Sequence, residues 1–547
     1  MNAAEYFFHQ GTNYRAYEYM GAHLTDYGGR VFRVWAPDAL SVSLVGDFCS
    51  WDVGIPMERI TDGGIWECTV DSGRARSGHK YKYKIQGSGG GHHYKSDPYS
   101  ICAEPPPNGA SVIYDCEDYP WRDDGWMTYR KSKSGRMGDE PVNVYRLSAT
   151  EWNRELRCWN ELARELAPYV KQMGYTHVEL TSVTEKALLY APQSRMGTPN
   201  DFKSFVDSMH EAGVGVIVDR YMVETFGEDY GLCRFDGQPL YERSDGATGY
   251  ELGRREVECF LVSNAHYWFE NFHVDGLRLC GIEPELSFET VGFFRKLNAH
   301  IKADFPDVLM MCDRITDRDN VTNFKNGGLG FDFKLCDTAL ADGEKYILSS
   351  PKGFEDMSYA RAMYGYFMTA HGKKLTQMGA EIGMGGERSP DWSLLGLDAH
   401  ARFQRYASEL GQLYLSTPAL WQCESLGELP ENNGGNVITL RRIDRGGREI
   451  IILINLTPVA LENYRVGVSY GGAYREILNS DDVSFGGGGY VNDTDVRSVT
   501  RPCDKCENSI VIRVAPMAIS ILKCVRKTST PGKTTTASRT AKTKNIK

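Results

Sequence analysis

The sequence lacks any hydrophobic run long enough to cross a membrane, and it lacks a recognisable signal peptide. Its longest purely aliphatic run, Ile450 to Ile454, is far shorter than the roughly 18 residues of a membrane span. Residues 1–10 contain neither a basic stretch nor an apolar core of signal-peptide length. These absences argue against a membrane protein, and we expect a cytoplasmic location.

The chain also has little excess positive charge. It contains 62 Lys and Arg against 72 Asp and Glu, which gives a net charge of -10. Residues 526–547 hold seven basic residues and no acids, so residues 1–525 carry -17. Because nucleic acids and anionic membranes attract basic surfaces, we expect neither as a partner and favour a neutral one.

Paired cysteine motifs are scarce. Fourteen cysteines are scattered through 547 residues, and only Cys503 and Cys506 form a CxxC motif. A disulfide framework is therefore not expected, and the thiols should be reduced. A metal site at Cys503 and Cys506, with Cys524 nearby, is the less favoured alternative because a zinc ribbon needs a second pair. We expect no metal and no cofactor.

What the sequence does contain is enough apolar material, 41% of its residues, for several folded domains. Short alternating segments between Arg30 and Asp115 predict an antiparallel β-sandwich, and similar segments after Asn436 predict a second one. The polar stretch 116–140 is predicted to be a linker, and the Thr-, Ser- and Lys-rich tail is predicted to be disordered. The predicted divisions are 1–115, 116–140, 141–425, 426–525 and 526–547.

Between the two sandwiches, short aliphatic runs alternate with helical patterns. This alternation predicts a (β/α)8 barrel over residues 141–425, whose active site would lie at the carboxyl ends of its strands. The predicted strands are Val142 to Leu147, His177 to Leu180, Val214 to Val218, Gly276 to Cys280, Val308 to Cys312, Phe331 to Leu335, Tyr346 to Ser350 and Leu375 to Met378.

Several segments resemble the glycogen branching enzymes, which are α-amylase-type glycoside hydrolase family members with an N-terminal starch-binding-type module. The resemblance spans about residues 1–525 and implies the fold predicted above, with shortened barrel loops. It is carried by Phe8 to Glu18, Val34 to Pro37, Val45 to Phe48, Phe235 to Gly237, Leu240 to Glu242, Gly253 to Val257, Gly372 to Lys374 and Tyr474 to Asn479.

The resemblance breaks at the catalytic positions. Family members transfer an α-1,4-glucan segment to a 6-hydroxyl by double displacement, which needs a nucleophilic carboxylate, an acid/base carboxylate and a third stabilising carboxylate. The resemblance places Cys280 at the nucleophile position and Cys312 at the acid/base position. The third position falls on Gly353 if Tyr346 to Ser350 is the seventh strand, and is otherwise deleted. The resemblance therefore implies a homologue that has lost glycosyl transfer.

Other polar residues remain near the predicted cleft: Asp219, Glu224, Arg278 and Asp313. Glu224 stands where the family has a sugar-binding His. Because adjacent strand residues point to opposite faces, Asp313 is expected to need a bulge or turn to reach the bond. An active enzyme that uses these displaced carboxylates is the main alternative.

Cys280 and Cys312 could also act as a pair, because they end neighbouring predicted strands. A thiolate is a good nucleophile, and two close thiols could form a redox or metal pair. Nothing in the sequence lowers their pKa, however, and buried cysteine is usually a small apolar filler. We favour the filler interpretation.

The N-terminal module keeps more of its family pattern. The resemblance matches Trp51 to a sugar-stacking Trp and Lys82 to a Lys that contacts the sugar, and Tyr94 is the candidate for a second aromatic. The alternative is that Trp51 belongs to the core. The expected partner is an α-glucan such as glycogen or starch, with a protein partner in glycogen metabolism as a further possibility. An interaction protein without glucan affinity also stays open.

Overall fold

The structure is a computed structural model. It describes residues 2–115, 119–185, 188–221, 229–246, 248–282, 286–313, 321–337, 345–351, 356–384, 389–428 and 437–527. The chain divides into two compact units, one formed by residues 1–355 and 367–422, the other by residues 356–366 and the chain from Cys423 onward.

The first unit begins with a short helix and two antiparallel sheets. Helix α1 (Ala3–His9) starts at a capping box in which Asn2 and Glu5 bond each other's backbone N–H. One sheet has the strand order β1-β2-β6-β5, and the other has β4-β3-β7-β8 with β9 paired to β7. The strands are β1 (Gly21–Leu24), β2 (Arg30–Trp35), β3 (Ser41–Gly46), β4 (Ile55–Pro56), β5 (Glu58–Arg59), β6 (Ile65–Val70), β7 (Lys80–Gln86), β8 (His92–Lys95) and β9 (Ser111–Val112). The predicted N-terminal sandwich is confirmed.

The segment predicted to be a linker contains a helix, α2 (Asp124–Ser132), so the prediction of a plain connection is wrong. Arg130 of α2 is buried and forms ion pairs of 3.0 Å with Asp275 and with Asp307. The sequence pattern missed this helix because buried charges, rather than a periodic apolar face, hold it in place.

The central part is a closed eight-stranded parallel barrel, which confirms the predicted fold class. Its strands follow in the order β10-β11-β14-β15-β16-β17-β18-β19, and β12 pairs with β13 outside the barrel. The strands are β10 (Asn143–Ser148), β11 (His177–Thr181), β12 (Thr184–Glu185), β13 (Leu188–Pro192), β14 (Gly215–Tyr221), β15 (Gly276–Cys280), β16 (Leu309–Cys312), β17 (Phe333–Cys336), β18 (Tyr346–Ser349) and β19 (Lys373–Gln377).

Helices follow or separate these strands in the described residues. The α-helices are α3 (Trp159–Gln172), α4 (Pro199–Glu211), α5 (Arg255–Phe272), α6 (Phe288–Asp304), α7 (Met357–Thr369) and α8 (Asp398–Ser416). Short 3-10 helices lie at Ala16–Glu18, Met137–Asp139, Ser194–Met196, Lys325–Gly327, Ala380–Ile382, Trp392–Gly396, Pro418–Leu420 and Val483–Phe485.

An apolar cluster occupies part of the barrel interior. It consists of Val142, Val144, Ile217, Leu309, Met311, Phe333, Ile347 and Leu375. Because strand residues alternate in direction, Arg146 and Asp219 point inward two residues beyond Val144 and Ile217. Register places Arg278 level with Asp219, so a polar layer begins at the carboxyl ends of the strands.

The N-terminal sheets are fixed to the barrel. Lys95 of β8 donates to the backbone carbonyls of Asp229 and Cys233, the latter at 2.6 Å. Tyr99 is buried and packs edge-on against Phe260 of α5, with ring centroids 5.3 Å apart. Polar and aromatic contacts together therefore hold the module in one orientation.

The second unit contains the predicted C-terminal β domain. A six-stranded sheet has the order β20-β21-β22-β27-β24-β25, and β23 pairs separately with β26. The strands are β20 (Cys423–Glu428), β21 (Val437–Asp444), β22 (Glu449–Asn455), β23 (Leu461–Val468), β24 (Gly472–Asn479), β25 (Val496–Arg497), β26 (Asn508–Val514) and β27 (Ala518–Lys527). Ile451, Val466 and Ile510 belong to its buried core.

Candidate functional site

Five charged side chains meet at the carboxyl end of the barrel interior: Arg146, Glu179, Asp219, Arg278 and Asp313. Glu179 Oε1 lies 3.0 Å from Arg146 Nε and 3.0 Å from Arg278 Nη1. Arg278 Nη2 lies 3.2 Å from Asp313 Oδ1, and Arg146 Nη2 lies 4.0 Å from Asp219 Oδ2. Each of these three carboxylates therefore faces a guanidinium group.

Asp219 is the most perturbed carboxyl of this cluster. Burial, reinforced by the negative charge of Glu179, raises its pKa to about 6, although Arg146 and Arg278 oppose the shift. The backbone N–H of Ser182 donates to Asp219 Oδ1 at 3.2 Å. A carboxyl with this pKa changes protonation state within the range of mildly acidic solution.

Cys280, for which the sequence resemblance predicts the nucleophile position, is a buried thiol. Arg278 Nε donates to its sulfur at 3.2 Å. Burial raises the pKa of Cys280 well above its ordinary value, although Arg278 acts in the opposite direction. At neutral pH the group is therefore protonated, and a protonated thiol is a poor nucleophile.

The register between β15 and β16 determines which residue of β16 faces the charged cluster. Arg278 pairs with Met311 and Leu279 pairs with Cys312, so Asp313 comes level with Cys280. The N–H of Gly281 donates to Asp313 Oδ2 at 2.9 Å. The expectation that Asp313 needs a bulge to reach the cleft is wrong, because the interior position after Met311 is residue 313.

The same register separates the two thiols. Leu279 and Cys312 are opposite each other, so Cys312 points away from the barrel interior while Cys280 points into it. The Cys312 sulfur lies 3.9 Å from the carbonyl oxygen of Phe333, and burial raises the pKa of this thiol as well. The alternative of a redox or metal pair is therefore wrong.

Two residues of the cluster, Arg146 and Glu179, were missed in the sequence. Their signal was present, because each is a charged residue within a predicted strand, and the two lie level with each other across β10 and β11. Two predicted site residues, Glu224 and Gly353, lie outside the described residues. The structure brings together Asp219, Arg278, Cys280 and Asp313.

Trp51 and Tyr94 lie on the surface of the N-terminal module. Their exposed fractions are 37% and 40%, so the alternative that Trp51 belongs to the core is wrong. Trp51 Nε1 donates to Asp47 Oδ1 at 3.2 Å, which fixes one edge of the indole ring. An indole held at its edge keeps its flat faces available for stacking.

Two of the three outward lysines of β7, Lys82 and Lys84, have different surroundings. Lys82 Nζ donates to the carbonyl oxygen of Asn108 at 2.6 Å and lies 5.2 Å from the ring centroid of Tyr230. Lys84 Nζ donates to the carbonyl of Asp52 and lies 5.8 Å from the ring of Tyr94. Lys84, which the sequence analysis missed, therefore links the two aromatic segments more directly than Lys82.

Within the residues that the structure describes, no group of three or more His, Cys, Asp or Glu side chains is arranged to hold a metal ion. No helix there has both the length and the apolar character of a membrane span.

The barrel and its flanking sheets define a protein of the α-amylase fold class. A pullulanase from Paenibacillus barengoltzii, solved with maltohexaose and alpha-cyclodextrin, matches with a TM-score of 0.66 at 14% identity, covering 93% of this chain and 95% of that one. A putative alpha amylase from Salmonella typhimurium matches with a TM-score of 0.65 at 16% identity, covering 91% and 99%.

Sequence comparisons narrow the class to a family. Residues 19–100 match carbohydrate-binding module 48 (isoamylase N-terminal domain), and residues 430–525 match the alpha amylase C-terminal all-beta domain. The 1,4-alpha-glucan branching enzyme GlgB of Oceanobacillus iheyensis is 33% identical over 95% of this chain and 97% of its own length. The corresponding enzyme of Geobacillus stearothermophilus is 31% identical over 96% of each. The chain belongs to the 1,4-α-glucan branching enzyme family.

This chain lacks segments that its relative contains. The alignment runs over 622 positions with the O. iheyensis relative, whereas 95% of 547 residues is about 520, so about 100 positions of the alignment have no residue here. The chain therefore spans 97% of its relative's length while lacking about 100 positions within the aligned region.

Proposed function

We propose that the chain is a branching-enzyme homologue in glycogen metabolism that has lost glycosyl transfer and retains α-glucan binding. The proposed loss of glycosyl transfer rests on the surroundings of Cys280. Double displacement needs a carboxylate nucleophile at this position, and the chain offers a buried, protonated thiol that accepts a hydrogen bond from Arg278.

The neighbouring carboxylates support the same proposal. Asp313 and Glu179 both contact the Arg278 guanidinium, and Arg146 adds a second cation inside the barrel. A carboxylate paired with a guanidinium is stabilised as an ion and is a weaker base and nucleophile. Removing one member of a catalytic set commonly lowers rate by several orders of magnitude.

An active enzyme remains the second candidate because of two specific observations. Asp313 faces the barrel interior beside Cys280, and burial raises the pKa of Asp219 to about 6, which suits a general acid. Asp219 and Asp313 would then replace the lost acid/base and nucleophile.

A branching assay separates the two candidates. The purified chain is incubated with amylose, and iodine absorbance and new 1,6-linkages are followed, with Asp219→Asn and Asp313→Asn as comparison variants. We expect no branching by any of the three proteins. Branching by the parent that either variant abolishes would instead establish displaced-carboxylate catalysis.

The glucan-binding half of the proposal rests on the exposed faces of Trp51 and Tyr94 and on the intervening Lys84. Flat aromatic faces suit the apolar faces of glucose rings, and an ammonium group donates hydrogen bonds to hydroxyls. Lys82 belongs to the same outward face, although its ammonium already contacts Asn108 and Tyr230.

Co-sedimentation with glycogen tests this half. We expect Trp51→Ala to bind about tenfold more weakly, because a stacked aromatic contributes roughly 1 kcal/mol or more. Val53→Ala is the matched control, since Val53 is exposed in the same turn. Undiminished binding by Trp51→Ala would contradict stacking, and no binding by the parent would leave an interaction protein without glucan affinity.

The same proposal includes a cytoplasmic location, a protein partner in glycogen metabolism, and folded regions at 1–115, 141–425 and 426–525. The matched family regions, 19–100 and 430–525, support the two flanking regions. The segment 116–140 is then grouped with the barrel, because the segment contains α2.

A further inference from the structure

A cavity of about 410 Å³ lies at the amino ends of the barrel strands, the end away from Cys280 and Asp313. Thr176, which precedes β11, and Asp275, which precedes β15, contribute to its wall, and helix α2 covers it. Its volume is within the range of about 300–1,000 Å³ that is usual for small-molecule sites. Nothing in the proposed loss of catalysis affects this end of the barrel.

The cavity is held open by a buried charge network rather than by loosely packed side chains. Asp275, which is buried, accepts hydrogen bonds from Trp126 Nε1 at 2.8 Å, Arg130 Nη1 at 3.0 Å and His210 Nε2 at 2.9 Å. The Trp126 ring also stacks on His210, with centroids 5.2 Å apart. The position and orientation of Trp126 are therefore fixed without a ligand.

The charges around the cavity compensate one another. Arg130 pairs with Asp275 and Asp307 at 3.0 Å each, and Lys133 pairs with Glu140 at 2.8 Å. A charged ligand would have to displace one of these pairs, whereas a neutral ligand would leave them intact. These pairs, among the charged residues that line the cavity, favour a neutral molecule with hydroxyl groups that can bond to charged side chains.

The remaining wall is aromatic and apolar. Trp126, Tyr129, Met137 and Pro141 all line the cavity. Tyr129 is 51% exposed, and Lys133 Nζ lies 5.3 Å from its ring centroid. Flat aromatic surface beside hydroxyl-binding groups is the combination that recognises a sugar ring.

We propose that this cavity binds glucosyl units of an α-glucan, as a second site remote from Trp51. The proposal rests on the glucan-binding function proposed above. Its ligand class follows from the compensated charges and the aromatic wall, and its location makes it independent of the degenerate catalytic end.

Hydrogen exchange of the full chain with and without maltohexaose tests the proposal. We expect slower exchange in peptides that cover residues 124–133 and, separately, in peptides that cover residues 46–56 around Trp51. Protection at 46–56 alone would overturn the cavity proposal and leave the proposed glucan binding intact. Protection at neither region would overturn both.

Affinity in a Trp51→Ala background isolates the cavity. We expect Trp51→Ala/Tyr129→Ala to bind maltohexaose about tenfold more weakly than Trp51→Ala, because the exposed phenol ring would be lost. Trp51→Ala/Thr128→Ala is the matched control, since Thr128 is exposed on the same helix and does not line the cavity. Equal affinities for the two double variants would overturn the proposal.

Discussion

At the residue scale, the molecule differs from what its family's chemistry requires through a change of charge. In the proposed inactive homologue, a thiol at Cys280 stands in place of a nucleophilic carboxylate, and Arg146 contributes a second guanidinium to the same part of the barrel interior. The result is three carboxylates held by two cations, which is an arrangement that stabilises ions rather than one that exchanges protons and glycosyl groups. Asp219 is the exception, because its contact with Arg146 is the longest of the cluster.

Asp219 makes the stability of the fold depend on pH. Its pKa is raised to about 6 in the folded state from an ordinary value of about 3.9. A group with a raised pKa stabilises the fold fully below its ordinary pKa, and this contribution is lost as the pH rises through 6. We expect the parent to lose about 2 to 3 kcal/mol from this group between pH 4 and pH 7, and Asp219→Asn to lack that loss.

Urea unfolding at pH 4, 5, 6 and 7 measures this effect as the difference between the parent and Asp219→Asn. Asp62→Asn is the control, because Asp62 is exposed on the N-terminal module. A constant difference in unfolding free energy between the parent and Asp219→Asn across this pH range would contradict a raised pKa of Asp219 in the folded state.

The sequence predicted some of these residues and not others, for physical reasons. Arg278, Cys280, Asp219 and Asp313 follow from motifs placed at strand ends. The direction of Asp313 does not follow, because it depends on the register between β15 and β16, which hydrogen bonds between strands determine. Arg146 and Glu179 needed the same knowledge of which strand residues face inward.

At the element scale, helix α2 shows how buried charge can hold a segment that has no apolar periodicity. Arg130 reaches Asp275 and Asp307, and His210 bonds both Asp123 and Asp275 at 2.9 Å. The ends of the barrel strands were predictable to within three residues because the strands are apolar runs. Helix α2 was not predictable, because ion pairs produce no periodic pattern in a sequence.

Breaking this network should release α2 from the barrel. We expect Arg130→Met to lower the free energy of unfolding by about 3 to 5 kcal/mol, because Asp275 and Asp307 would remain buried without the guanidinium group that pairs with both. Lys131→Met, at an exposed neighbouring position, should change it by less than about 0.5 kcal/mol. Denaturant unfolding provides the measurement, and similar values for the two variants would contradict a stabilising role for the network.

At the scale of the whole molecule, the net negative charge agrees with the neutral polymer that we propose as partner, and the chain is shorter than its relatives. Residues 1–525 carry a net charge of -17, and about 100 positions of the family alignment are absent. The three-part architecture was predictable from sequence, because alternating and helical patterns change at clear points. The pairing of charges around the cavity was not predictable, because it joins residues far apart in the chain.

A neutral partner should make binding insensitive to salt. We expect the affinity for glycogen to change less than about twofold between 50 and 500 mM NaCl, since no counterions are released when a neutral chain binds. Co-sedimentation across this range gives the measurement, with an anionic polysaccharide as the comparison ligand. A steep fall in glycogen binding with salt would contradict recognition through stacking and neutral hydrogen bonds.

The attachment of the N-terminal module to the barrel has a consequence for how such a protein would hold a polysaccharide. Lys95 and Tyr99 fix the module in one orientation, so the spacing between the Trp51 face and the cavity beneath α2 is constant. Two rigidly spaced sites gain avidity only from a ligand that spans them. The protein would thus bind polysaccharide particles whose outer chains span both sites more tightly than short oligosaccharides of the same sugar.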